Sequence, residues 1–191
     1  GSGIGSLSNA LQKVQKDAEE AVRGGKTHIV LSDFDVDQGS APVPMILATA
    51  AVHSHLIREE LRTFTSLNIR SGECLDVHYF AVLIGVGATT VNAYLAEEII
   101  RDRSHRGLLN DLSVGVAIKN YKAAIDKGLL KIMSKMGISI VSSYRGGYCF
   151  EALGLSRSLV AQYFPGMSSR LSGIGLSGIE GKVVEMHWQA F

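Results

Sequence analysis

Apolar residues recur at Leu7, Leu11, Val14, Ala18, Ala21 and Val22, the spacing of one helix face, and Gly24-Gly25 closes the run. His28-Ile29-Val30-Leu31 is apolar without that period and reads as a buried strand. Asp33 to Pro44, rich in aspartate, glycine and proline, predicts a loop. Met45 to Leu61 is apolar on nearly all sides and predicts a well-buried helix. Thr63 to Ile69 alternates in part and predicts a second strand. Asp76 to Ile84 reads as a helix, Gly85 to Ala88 as its exit, Thr89 to Asn92 as a short strand, and Ala93 to Arg103 as another helix. A further helix is predicted from Leu109 to Asp126, stopped near Gly128.

Lys131 to Met136 are good helix formers, and Gly137 can adopt the left-handed conformation that ends a helix. Ile138, Ile140 and Val141 form a β-branched run, so a fourth strand is expected at 138–142, with a polar loop from Ser142 to Gly147. Helical segments follow near Phe150–Leu153 and Ser156–Phe164. Residues 166–181, rich in glycine and serine, predict an irregular segment before a final helical pattern. Strands alternating with helices argue for an α/β domain with an open parallel sheet of about four strands flanked by helices. Four strands are too few to close an eight-stranded barrel, so the arrangement is half-barrel-like. One domain is expected over residues 6–191. Residues 1–5 read as an added remnant, and both ends suggest a piece of a longer protein.

Composition narrows the function classes. Hydrophobic residues make up 46%, enough for a sizeable core. The formal net charge of +1, with no basic cluster interleaved with aromatics, argues against a nucleic-acid partner. No apolar run reaches the roughly 18 residues that span a membrane, so a soluble intracellular protein is expected. The two cysteines, Cys74 and Cys149, read as buried free thiols and cannot make a four-ligand metal site by themselves.

Several strings imitate chemistry. Gly173-Ile174-Gly175-Leu176-Ser177-Gly178 matches a dinucleotide fingerprint literally. With no strand expected before it and no acid about 20 residues beyond, a linker is the better reading. Asp33, Asp35 and Asp37 alternate as in a calcium loop, yet Gln38 and Pro44 stand where that loop needs glycine and glutamate, so a solvated loop is expected. His53 and His55 point to different faces of one helix and read as hydrogen-bonded boundary residues rather than a zinc pair. A binding surface is better placed where the loops leave the carboxyl ends of the strands. Those loops carry Asp33 and Asp35, Arg70 and Glu73, Asn92 and Tyr94, and Tyr144 and Arg145, all expected on one rim.

Longer strings are more specific. Leu31-Ser32-Asp33, Ala41-Pro42-Val43-Pro44, Ala51 to Arg58, Ser71-Gly72-Glu73, Val77 to Gly85, the Lys131 to Gly147 string, Phe150-Glu151-Ala152 and Gly173 to Leu176 closely resemble the central region of the glutamate synthase large subunit, in order and spacing. Ser54 and Ala93 depart locally from that pattern, where a histidine and a proline are expected. The resemblance implies a non-catalytic central domain of an oxidoreductase of glutamate biosynthesis and ammonia assimilation. It would link the glutamine amidotransferase and FMN synthase domains of the same chain and support the ammonia path between them. It implies FMN and an iron–sulfur cluster for the full-length enzyme and none in this segment. A reductase subunit or ferredoxin would serve the whole enzyme, and the location would be the cytoplasm or a plastid. The alternative from the residues alone is a free-standing α/β domain that binds a small molecule at its strand-end rim.

Overall fold

The computed structural model describes residues 5–110 and 112–191. Residues 1–4 of the expected remnant, and Asp111 within the helix expected from Leu109, lie outside the described residues. Helix α1 (Ser6–Arg23) precedes strand β1 (His28–Ser32), helix α2 (Met45–Arg58) and, after a single 3₁₀ turn, strand β2 (Ser66–Arg70). Helix α3 (Val77–Gly85), strand β3 (Thr90–Asn92) and helices α4 (Tyr94–His105) and α5 (Val114–Lys135) follow. The last third holds α6 (Val141–Tyr144), β4 (Glu151–Leu155), α7 (Arg157–Tyr163), β5 (Ser168–Ile174) and α8 (Leu176–Ala190).

The strands form two small open parallel sheets, β1-β2-β3 and β4-β5. In the first, Ile29 pairs with Leu67 and Ile69 with Val91. Because β1, β2 and β3 follow one another across the sheet, successive crossovers run in one direction and lay their helices on the same face. Ile29, Leu67 and Ile69 pack there against Met45, Ala48, Val52 and Leu56 of α2, Ala18 and Val22 of α1 and Leu83 of α3. Each fully buried Leu, Ile or Val side chain contributes about 1.5–3 kcal/mol relative to exposure. Among the described residues no helix covers the other face. Val30 is 61% exposed there, beside His28, Ser32, Asn68, Thr90 and Asn92.

The fourth strand expected at 138–142 does not form. Ile138 packs under Tyr144, while Ile140 and Val141 are exposed and enter the single turn of α6. The second sheet lies where helix (150–153) and irregular chain (166–181) were expected. β5 follows β4 through α7 and pairs with it in a bulged register, Leu153 against Leu171 and Leu155 against Ile174. A Cβ on Gly173 would lie 2.1 Å from the Gly154 carbonyl oxygen, so these strands approach only because position 173 has no side chain. The dinucleotide-like string therefore does follow a strand and open a helix, contrary to the linker reading. Its first and third glycines serve packing, since a Cβ at Gly178 would meet Ile174 at 2.9 Å. Helix α5 also runs through Gly128 rather than stopping there, because Gly128 lets the helix approach Val77 of α3, whose methyls lie within 2.6 Å of where a Cβ would stand.

The two ends of the described chain are tied together. The Glu180 carboxylate on α8 accepts the backbone N–H groups of Gly5, Ser6 (2.9 Å) and Leu7, together with the Ser6 hydroxyl. These donors open α1 and have no partner within the helix. The bonds hold the Glu180 carboxyl below its usual range, the Ser6 hydroxyl most strongly.

Candidate functional site

At the carboxyl end of the first sheet, Ser32, Arg70 and Asn92 stand in register on adjacent strands. Asp33 follows β1 and turns its carboxylate toward the loop after β2. It accepts the Gly72 N–H at 3.0 Å and the Ser71 hydroxyl at 2.9 Å. The Ser71 N–H in turn donates to the Asn92 carbonyl. The three rim loops are thus tied by hydrogen bonds rather than merely adjacent. The Arg70 guanidinium lies 3.6 Å over the Phe34 ring and 5.2 Å from the Tyr94 ring, and the two rings meet edge to face. A cation held over two aromatic faces is stabilised by the ring quadrupoles. Burial and the neighbouring Asp33 carboxylate push the Tyr94 hydroxyl up to about 12, so it stays a donor.

Glu73 lies deeper. Its carboxylate accepts the Met45 N–H that opens α2 (2.9 Å) and the Tyr79 hydroxyl of α3. It thereby locks two helix starts to the rim. Asp35 is exposed and lines a hollow of about 600 Å³ between α1, the free edge of β1 and the loop that ends at Val43. Asp33, Asp35, Arg70, Glu73, Asn92 and Tyr94 therefore do gather at one end of the sheet. Asp33 is no merely solvated loop residue, since its carboxylate is the clasp of the rim.

Tyr144 and Arg145 lie elsewhere, because the strand expected to carry them to the rim is absent. Tyr144 is 1% exposed; its hydroxyl donates to the Ala81 carbonyl at 3.1 Å and its ring meets Phe150 edge-on. Arg145 lines a hollow with Thr27, His28 and Ser66, at the amino ends of the strands. The loop that carries them docks on α2 and α3. The N–H groups of Gly146 and Tyr148 donate to the Ile84 and Gly85 carbonyls, and the hydroxyls of Tyr148 and Ser54 lie 3.0 Å apart. Gly146 and Gly87, both with positive φ, flank the His53 ring. A Cβ on Gly87 would fall 2.3 Å from it.

Arg62 is a residue that sequence reasoning missed. It donates to His53 Nδ1 (2.9 Å), the Thr65 carbonyl (2.6 Å) and the Gly87 carbonyl (2.9 Å). Burial first, and the Arg62 charge second, lower the His53 imidazole to about 4, so it remains neutral and accepts from Arg62. The uncovered sheet face was missed as well, although the alternation Ser66-Leu67-Asn68-Ile69-Arg70 carries its signal. There Thr90 Oγ1 donates to Asn68 Oδ1 at 2.7 Å, and Asn68 Nδ2 donates to Ser66 Oγ.

Among the described residues, Glu19, His55 and Glu59 form a group close enough to share a cation. Arg23 already bridges both carboxylates, at 2.8 Å and 3.1 Å, and His55 bonds Glu19 at 2.8 Å. The cysteines do not fit an iron–sulfur cluster. Cys74 is fully buried with its thiol pushed up to about 12, chiefly by burial, and Cys149 is exposed without a second cysteine to join it. No helix among the described residues is long and apolar enough to cross a membrane.

The family model of the glutamate synthase central domain matches residues 2–156, a span that ends just before α7. Over 186 residues the chain is 61% identical to the glutamate synthase (NADPH) large chain of Azospirillum brasilense, covering 97% of this chain and 12% of that one. It is 42% identical over 185 residues to the corresponding large chain of Bacillus subtilis (strain 168), covering 97% of this chain and 12% of that one. It is 37% identical over 202 residues to ferredoxin-dependent glutamate synthase 2 of Synechocystis sp., covering 99% of this chain and 13% of that one. The chain therefore spans about an eighth of the length of these relatives. It belongs to the glutamate synthase central domain family.

Proposed function

We propose that the chain acts as the central domain of a glutamate synthase large chain, in glutamate biosynthesis and ammonia assimilation. It joins the glutamine amidotransferase domain to the FMN synthase domain and supports the ammonia path between them, without catalysing either reaction itself. The observation that carries this reading is the bare face of the first sheet. Parallel sheets are ordinarily covered on both faces. Here helices cover one face, and the other presents Val30, Asn68, Arg70 and Thr90 to whatever lies beyond the segment. The rim beside it is held rigid by Asp33 and Glu73, as a surface that fixes two distant sites in register requires.

FMN and the iron–sulfur cluster belong, on this reading, to other parts of the large chain. Relatives named for NADPH and for ferredoxin match nearly the whole of this segment, which supports a role upstream of the choice of electron donor. Contact with a reductase subunit or ferredoxin falls outside it. The relatives include a chloroplastic enzyme of Spinacia oleracea, in keeping with a cytoplasmic or plastid location.

The test uses the full-length large chain. Arg70→Ala and Asn92→Ala should raise the ratio of glutamine consumed to 2-oxoglutarate reduced. Glutaminase activity and the reduction driven by added ammonia should persist. An unchanged ratio in both variants refutes the face and rim as the coupling surface.

A further inference from the structure

At the amino end of the first sheet, opposite the rim, two arginines line one hollow. Arg62 enters from the 3₁₀ turn before β2 and Arg145 from the loop after α6. The hollow measures about 480 Å³, and no carboxylate lines it. Neither arginine forms an ion pair among the described residues. Arg70, by contrast, has aromatic faces to lie on. Arg62 is anchored by four acceptors, His53 Nδ1, the Thr65 and Gly87 carbonyls and, at 3.4 Å, the Thr89 hydroxyl. The Arg145 side chain makes no hydrogen bond among the described residues, and its Nε is buried without a partner. An orphaned donor of this kind costs about 1–3 kcal/mol, more when charged, unless something accepts from it. The two like charges are also close enough that Arg145, after burial, lowers the proton affinity of Arg62. Thr63 and Thr89 add hydroxyls to the wall, and Phe64, 67% exposed, adds an apolar side.

We propose that Arg62 and Arg145 form a binding site for an oxyanion, a carboxylate or phosphate group. Arg62 is the fixed half, held by His53, Thr65 and Gly87. Arg145 is the responsive half, whose side chain makes no hydrogen bond among the described residues and can turn its guanidinium toward the anion. Guanidinium forks match the planar or tetrahedral oxygens of such groups, and charge-assisted hydrogen bonds are roughly twice as strong as neutral ones. The anion would also relieve the repulsion between the two cations. Two sources share this chemistry: a free small oxyanion, or an acidic side chain from another part of a large chain.

The 191-residue chain is titrated with inorganic phosphate and, separately, with glutarate, at ionic strength held constant with sodium chloride. Melting temperature and the Nε–Hε resonance of Arg145 are followed. The expected result is a saturable rise in melting temperature with a matching resonance shift. Arg145→Gln should weaken binding by about tenfold or more, and Arg145→Lys should retain part of it. Arg145→Gln without anion should be at least as stable as the parent, which separates lost binding from lost folding. A non-saturable response equal to that of chloride, or a response unchanged in Arg145→Gln, overturns the proposal. A second arm rests on the reading of the chain as part of a large enzyme and repeats the phosphate titration on the full-length large chain. Binding retained there identifies a free anion as the occupant. Binding lost there, but restored in the 191-residue chain, identifies a protein carboxylate.

Discussion

Tyr144 offers the sharpest test of the fold, because a rim position and the observed position predict different energetics. An exposed rim tyrosine would tolerate truncation within about 0.5 kcal/mol. The observed side chain is 1% exposed, packed with Ala81, Met133 and Phe150, and donates to the Ala81 carbonyl. Tyr144→Phe removes only the hydroxyl. Ala81 lies inside α3, whose own ladder supplies its carbonyl with a second donor, so no acceptor is orphaned. The loss should sit at the ordinary net value of a hydrogen bond, about 1 kcal/mol. For a domain of this size that lowers the melting temperature by about 2–4 °C. Tyr144→Ala also deletes the ring and leaves a cavity, so about 3–5 kcal/mol is expected. Urea unfolding with a constant m-value measures both. A Tyr144→Ala variant within about 0.5 kcal/mol of the parent would show that the loop after α6 is not anchored in the core.

Gly87→Ala must place a Cβ against the His53 ring at a φ of +121°, and should cost about 2 kcal/mol or more by urea unfolding; a neutral result would mean that His53 can move aside. The pH dependence follows from His53. The fold keeps it neutral down to about 4, while the unfolded chain takes up a proton near 6.5, so stability present above pH 6.5 is lost as pH falls, by at most about 3 kcal/mol. His53→Gln should flatten the stability curve between pH 6.5 and 5, and coincident slopes for the two proteins would refute this. Asp33→Ala removes the acceptor for Ser71 and Gly72 and should cost about 1–2 kcal/mol while raising amide exchange at residues 71–73. Unaltered exchange there would show that the rim loops hold together without it.

The first ninety residues were legible because local preference and tertiary need agree. Ile29 and Leu31, then Leu67 and Ile69, are β-branched or apolar at positions the sheet buries, and the helix of Met45 to Arg58 is apolar where it is enclosed. Agreement fails after α5. Ile138-Ser139-Ile140-Val141 has strand propensity but no neighbouring strand to pair with, so it becomes a surface turn. Glu151-Ala152-Leu153 consists of good helix formers, and Ser168 to Ile174 mixes serine with glycine. Their strand conformation comes from pairing with each other, a contact across α7 that no local window contains. The rim was readable as far as it followed β1, β2 and β3, and misplaced where it depended on the missing strand. Arg62 stood in a matching string, Arg62-Thr63, but nothing there marked it as a site residue, because its partners are two backbone carbonyls, the Thr89 hydroxyl and a histidine nine residues away.

The Glu180 clasp bears on how this chain comes into being on the ribosome. Helix α1 is made before its partner α2, which follows within a few dozen residues, so the two can associate early. The acceptor for the opening turn of α1 arrives 174 residues after Ser6. At 5–20 residues per second, that is a delay of roughly 9–35 s. Through that interval the first N–H groups of α1 lack this acceptor, and the turn frays. Translation that stops short of α8 would therefore leave α1 packed against α2 with a loose opening turn. Such a product offers the opening turn of α1 to proteases that the segment with α8 in place excludes.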